Sequence, residues 1–175
     1  MVKVCQQTSH LIEAVGARAK SYLQEESNIS TRNISYDFYN VNNLELNYLT
    51  SIMAVEGHLD VLFAFSFDKN IAKKIMEEYT AELPSPNDNP EDYIEETVAD
   101  LINIVLGNAL GEFNIGGEAI RVSPPIVISG AKNIHKNKTA QFLTAELGTD
   151  FGKLQIHCIG PRELFDPQLN YIGEN

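Results

Sequence analysis

Four residues in the segment Asn89 to Phe113, NPEDYIEETVADLINIVLGNALGEF, have the types and spacing to do chemistry together. Glu96, Asp100, Asn103 and Gly107 follow one another at intervals of four, three and four residues. At about 100° per residue they share one helical stripe about 60° wide. Within it a carboxylate, Asp100, and a short amide, Asn103, stand about one turn apart on the same face. Asn103 is a weak helix former set in mid-helix. Gly107 costs about 1 kcal/mol relative to alanine and leaves the surface one turn on from Asn103 bare. A bare patch beside a short amide suits close approach by another molecule. The alternative is a solvated face of the kind every amphipathic helix has.

Other chemistries are poorly represented. His10, His58, His135 and His157 lie in different elements without ligand spacing, so no metal site is expected. His157 and Cys158 are adjacent in a strand and point to opposite faces. Cys158 reads as a small core residue. Cys5 and Cys158 form no C-x-x-C pair and read as free thiols of a reducing compartment. There is no G-x-S-x-G elbow, P-loop or dinucleotide fingerprint, and Gly116-Gly117 is read as a turn. No self-contained catalytic constellation remains, so any catalysis completes a site on another molecule. A net charge of −11 disfavours nucleic acid and anionic membrane as partners. MVKVCQQTSH lacks the apolar run of a signal peptide, and no run reaches membrane-spanning length. A cytoplasmic protein is expected, in which the sequons at Asn28, Asn33 and Asn137 carry no glycan.

These four residues need a long helix to hold them. Asn89 is a natural N-cap, Pro90 suits the first turn, and Glu91, Asp92, Glu95 and Glu96 favour the positive end of the helix dipole. Ile94, Val98, Leu101, Ile102, Val105, Leu106 and Ala109 form the apolar face opposite the stripe. An earlier helix is predicted over Ser9 to Glu26, with Ser9 as its cap. Strands are predicted over Ile34–Tyr39 and Leu44–Val55. The second is joined through Glu56-Gly57 to His58–Phe67, where Leu59, Val61, Phe63, Phe65 and Phe67 alternate. Asp68 is placed to cap a helix over Lys69 to Glu82 that turns Ile71, Ile75, Met76 and Tyr79 inward. Leu83 to Asn89 is a loop within one domain. Pro124-Pro125 lies at a strand start, an edge or a crossing, ahead of a strand over Ile126 to Ile128. Thr139–Leu147 and Phe151–Ile159 read as a hairpin turning at Gly148 to Asp150. Pro161–Phe165 reads as a short helical turn, and residues 166–175 as a frayed tail. GHLDVLFAF from Gly57 and GKLQIHCIG from Gly152 share a pattern, which suggests an internal duplication. The whole chain, 1–175, reads as one domain.

Between Leu46 and Ile159 the chain resembles the CheC/CheX/FliY chemotaxis phosphatases, and the CheX branch most closely. Asp100-Leu101-Ile102-Asn103 stands where that family carries an acidic residue-x-x-Asn motif on a long exposed helix. IVLGNA continues it, SPPIVISG from Ser123 matches the CheX-type strand, and SIMAVEGHLDVLFAFSFDKNIAKKIM matches the upstream strand-turn-strand-helix. One copy of the motif is evident, as in CheX, and the family's glutamate is here Asp100.

The resemblance implies an α+β fold, a mixed and largely antiparallel sheet packed against long helices. It also implies hydrolysis of the aspartyl phosphate of a CheY-like response-regulator receiver domain. Asp100 would pair the receiver's lysine and Asn103 would orient the attacking water. Glu96, Gly107, Pro124 and Pro125 would belong to the docking surface. The protein would hold no metal of its own, Mg²⁺ being supplied by the receiver. Copies would pair as homodimers through their sheets. The alternative is a non-catalytic module of the same fold that docks on a receiver or on the flagellar switch.

Overall fold

The structure, a computed structural model, describes residues 2–38, 41–57, 59–81, 93–112, 120–130, 132–136 and 138–161, with side chains from Thr8 onward. Alternating apolar residues build the sheet and period-of-four apolar residues build the helices that cover it. In chain order the elements are α1 (Val2–Glu26), β1 (Thr31–Asp37), β2 (Asn43–Leu46), β3 (Leu49–Glu56), β4 (Val61–Phe67) and α2 (Lys69–Thr80). There follow α3 (Ile94–Glu112), β5 (Arg121–Val122), β6 (Ile126–Ser129), β7 (Lys132–His135), β8 (Ala140–Thr149) and β9 (Gly152–Pro161). The main sheet runs β1-β8-β9-β4-β3, and both β5 and β6 pair with the outer side of β3. Every pairing among the described strands is antiparallel. The fold is thus α+β, with the sheet on one side and the helices on the other.

The helix-facing side of the sheet is the core. Phe63, Phe65 and Phe67 of β4 lie in register with Cys158, Ile156 and Leu154 of β9, and all six are fully buried. They pack with Leu11, Ile12, Val15, Ala19 and Leu23 of α1, with Ile71, Ala72 and Ile75 of α2, and with the apolar face of α3. The opposite face of the sheet is covered in part by a ribbon of β2 and β7. It lays Leu44, Leu46 and Ile134 against Phe142 and Ile159. The two segments that echo one another in sequence supply β4 and β9, which are neighbours at the centre of the sheet.

The structure moves several expected boundaries. Helix α1 begins well ahead of Ser9, which lies inside the helix and caps nothing. The run Leu44 to Val55 is two strands in two sheets, because it breaks at Asn47. There the backbone N–H donates to Ser66 Oγ at 2.6 Å and the side-chain amide to Gln155 Oε1 at 3.1 Å. Strand β7, unforeseen, pairs with β2. The β8–β9 turn falls at Asp150-Phe151, since β8 runs on through Thr149. Asp68 sits at the N-cap of α2, but its side chain makes no cap. Its Oδ2 instead accepts from the Lys153 N–H at 2.9 Å. Gly152 permits that approach: it has φ +120, and a Cβ there would come 2.9 Å from Asp68 Oδ2. Pro161 ends β9, and the rest of the expected helical turn, residues 162–165, lies outside the described residues. Leu83–Asn89, Pro90, Glu91, Asp92, Gly116-Gly117 and residues 166–175 lie outside the described residues, as does the side chain of Cys5.

His157 makes the fold sensitive to acid. It faces away from the helices, between Ala64 and Thr144, and is 2% exposed. Its Nδ1 lies 2.9 Å from Thr144 Oγ1, and its buried Nε2 has no partner among the described residues. Burial lowers its pKa from 6.5 to about 4. The unfolded chain therefore binds the proton first, and the contribution to stability is complete above pH 6.5 and is lost as the pH falls towards 4. The loss expected over that window is on the order of 3 kcal/mol. Urea unfolding at pH 7 and pH 4.5 should show it as a steeper decline than in His157→Asn. Equal declines in the two proteins would assign the acid sensitivity to other groups.

Candidate functional site

Helix α3 divides cleanly into a buried and an open side. Ile94, Val98, Leu101, Ile102, Val105, Leu106 and Ala109 are all buried, joined by Thr97 and Leu110. The expected stripe lies on the open side: Glu96, Asn103 and Gly107 are exposed and Asp100 is half-buried. A Cβ built on Gly107 would meet nothing within 4 Å among the described residues, so none of them requires a glycine there. The structure thus brings Glu96, Asp100, Asn103 and Gly107 together on one surface.

Pro124 and Pro125 stand apart, in the link between β5 and β6 at the edge of the sheet. At this edge Ser123 keeps the ladder closed. Its N–H donates to Ala54 O at 2.9 Å, and its Oγ accepts from the Ala54 N–H at 2.9 Å. Proline has no N–H to offer β3, so the pair is tolerated only where the strand is interrupted. Pro124 is exposed and Pro125 half-buried. Strand β6 packs against α3 beneath this edge.

One contact to the stripe was not foreseen from the sequence. Tyr79, expected to face inward, is 39% exposed, and its hydroxyl donates to Asp100 Oδ2 at 3.2 Å. Its angle on α2 is that of the buried residues, but it lies in the last turn of the helix, where the core no longer covers the ring. The hydroxyl of an amphipathic ring then seeks a polar partner at the surface. The Asp100 bond is the main cause that raises the Tyr79 phenol above its ordinary pKa, followed by the Asp100 charge. Tyr22 of α1 is also raised, mainly by burial and then by Glu26 and Asp100. Both phenols accordingly stay protonated at neutral pH. Asp100 is therefore not a free carboxylate projecting into water: one oxygen is engaged at the surface.

Beside Asp100 a groove of about 830 Å³ opens between the three helices. Tyr22, Glu25 and Glu26 of α1, Tyr79 of α2, and Ile104 and Asn108 of α3 line it. Ile104 is 44% exposed. An Arg18–Glu112 ion pair ties α1 to α3 at its far end. Among the described residues, no group of three or more His, Cys, Asp or Glu could hold a metal ion, and no helix is long and apolar enough to cross a membrane. Chemically, the surface offers a carboxylate held on one oxygen and an exposed amide on one helix face, with nothing within 4 Å of a Cβ at Gly107 among the described residues.

A family model described as chemotaxis phosphatase CheX matches residues 49–147. Among curated proteins none matches. Solved structures are similar in fold at low sequence identity. A chemotaxis protein CheX from Desulfovibrio desulfuricans superposes with a TM-score of 0.72 at 13% identity, over 85% of this chain and 97% of that one. A chemotaxis protein CheX from Vibrio vulnificus gives 0.66 at 16% identity, over 86% and 99%. The Borrelia burgdorferi protein in a CheX-CheY-BeF3-Mg²⁺ complex gives 0.62 at 17% identity, over 84% and 95%.

Proposed function

The chain belongs to the CheX family of chemotaxis phosphatases, and from that premise we propose that it hydrolyses the aspartyl phosphate of a CheY-like receiver domain. Asp100 pairs the receiver's lysine, and Asn103 orients the attacking water. The observation that carries this reading is the exposed Asn103 amide one turn from Asp100 and one turn from the bare Gly107, all on the open side of α3. Phosphoryl transfer asks for positioning and charge stabilisation more than for covalent help. An amide meets the first need, because it holds a water by donation and acceptance together. A carboxylate on the same face meets the second by engaging the lysine of the partner. The magnesium ion in this reading belongs to the receiver, in keeping with the CheX-CheY complex that contains one.

Glu96 and Gly107 extend the proposed docking surface along α3. Pro124 and Pro125, set apart in the β5–β6 link at the sheet edge, are proposed as a second contact region for the receiver. The same edge is the proposed route to pairing of two copies, since Ile126 there is 64% exposed; sedimentation velocity reads that association directly.

A second reading has one observation in its favour. Asp100 is a methylene shorter than the family's glutamate, and one of its oxygens is already engaged by Tyr79. A module of this kind would bind a receiver without shortening its phosphate lifetime. Asp100→Glu separates the two readings. For the phosphatase, wild type already accelerates phosphate release from a CheY receiver, and the variant stays within about tenfold of it. For the binding module, wild type leaves the lifetime unchanged, and acceleration appears only in the variant.

A further inference from the structure

Among the described residues, the side chain that must meet the receiver's lysine is the one in the stripe with an internal partner. Tyr79 ends α2 and Asp100 lies in the middle of α3, so their bond spans two helices. Among the described residues, Oδ2 of Asp100 accepts this bond and Oδ1 has no partner. A carboxylate with one oxygen held and the other free is an oriented acceptor. Ion pairing at an interface is sensitive to the placement of its charges, and ordering a side chain in advance lowers what docking must order. The phenol is suited to the role. It is an O–H donor that carries no charge of its own to compete for the lysine. Its hydroxyl is the end of a side chain bordering the groove between the helices.

We propose that Tyr79 is a positioning residue of the docking site, whose hydroxyl holds Oδ2 of Asp100 so that Oδ1 receives the ammonium of the receiver's lysine. The inference rests on the phosphatase reading above and adds to it the element that sets the short carboxylate. It also gives the aspartate a rationale. A glutamate at residue 100 would carry its carboxylate a methylene beyond the reach that the Tyr79 bond defines, whereas aspartate keeps it there.

The test is a double-mutant cycle of Tyr79→Phe and Asp100→Ala, with a phosphorylated CheY receiver as substrate and a beryllofluoride-charged CheY receiver as binding probe. Tyr79→Phe keeps the ring and removes only the donor. It should raise KM, and weaken binding of the charged receiver, by about fivefold, with the change falling on KM rather than kcat. In the Asp100→Ala background the same substitution should change neither. An equal loss in both backgrounds overturns the proposal, because Tyr79 would then act without Asp100. An unchanged KM in Tyr79→Phe, beside a raised KM in Asp100→Ala, overturns it while leaving the phosphatase reading intact. If Asp100→Ala itself leaves KM and binding at wild-type values, the carboxylate's role falls, and the positioning role with it. A structural readout runs alongside: in the free protein, Asp100→Ala should bring the Tyr79 phenol titration back towards its ordinary range. A titration that does not move rejects the bond in solution.

Discussion

Asn103→Ala should abolish acceleration of receiver dephosphorylation, a fall of about 100-fold or more, while leaving the charged receiver bound with nearly wild-type affinity. The amide is exposed, and no hydrogen bond to it appears among the described residues, so its loss removes no support from the fold. Alanine is also the better helix former, so the variant should be at least as stable as wild type, by about 0.5 kcal/mol. That combination is the signature of a group used on a partner. The water it orients is in place only when the receiver is docked, so the cost falls on the chemical step rather than on binding. Phosphate release, receiver affinity and urea midpoint should be measured on one preparation. Hydrolysis by the variant at the wild-type rate would end the proposed mechanism. A fall in activity matched by an equal fall in affinity would reassign Asn103 to docking.

What was legible in the sequence follows from where local pattern and tertiary structure agree. The seven apolar residues of α3 recur at helical spacing because one side of the helix is sealed by the sheet, and the stripe of Glu96, Asp100, Asn103 and Gly107 follows by subtraction. The β3–β4 and β8–β9 hairpins were legible for the same reason, from alternation bounded by turn residues. The failures are non-local. Nothing in Leu44 to Val55 announces a break at Asn47, because the break is made by Ser66 and Gln155, in two other strands. Asp68 has the composition of a cap, yet β9 offers its backbone N–H and takes the carboxylate away. Strand β7 is short and polar, and it exists through its register with β2.

Tyr79 is the most instructive miss. Angular position on α2 assigns it to the core beside Ile71 and Ile75, and the periodicity is correct. Periodicity carries no information about where along its length a helix leaves the core. The last turn of α2 passes that point, so a residue with an inward angle becomes a surface donor. The available signal was chemical: among the inward-facing residues predicted for α2, Tyr79 alone bears a hydroxyl, and a tyrosine in a terminal turn often ends with its ring half-covered and its oxygen in contact with a polar group. The candidate site was thus legible as a list of residues on α3, but its connection to α2 was not.

Gly107 offers the sharpest test of what the open side of α3 is for. In a helix interior glycine is unfavourable, and at this residue none of the described residues would be disturbed by a Cβ. Gly107→Ala should therefore stabilise the protein by about 0.8–1 kcal/mol. Arginine is nearly as good a helix former as alanine, so Gly107→Arg should fold with similar stability. If the bare surface serves only solvent, the two variants will be alike in activity. If a receiver packs against it, they will diverge. The methyl of alanine takes up little room, whereas the arginine chain occupies the ground over which the partner must close, and sets a positive charge near the place where Asp100 is to receive a lysine. Like charges brought together at an interface are costly, so binding of the charged receiver should weaken by about 100-fold in Gly107→Arg. Two variants of equal stability and unequal affinity would show that the glycine is kept for the visitor and not for the fold. Equal affinity in both would move the docking surface off this stretch of α3, and with it the reason for reading Asp100 and Asn103 as a working pair.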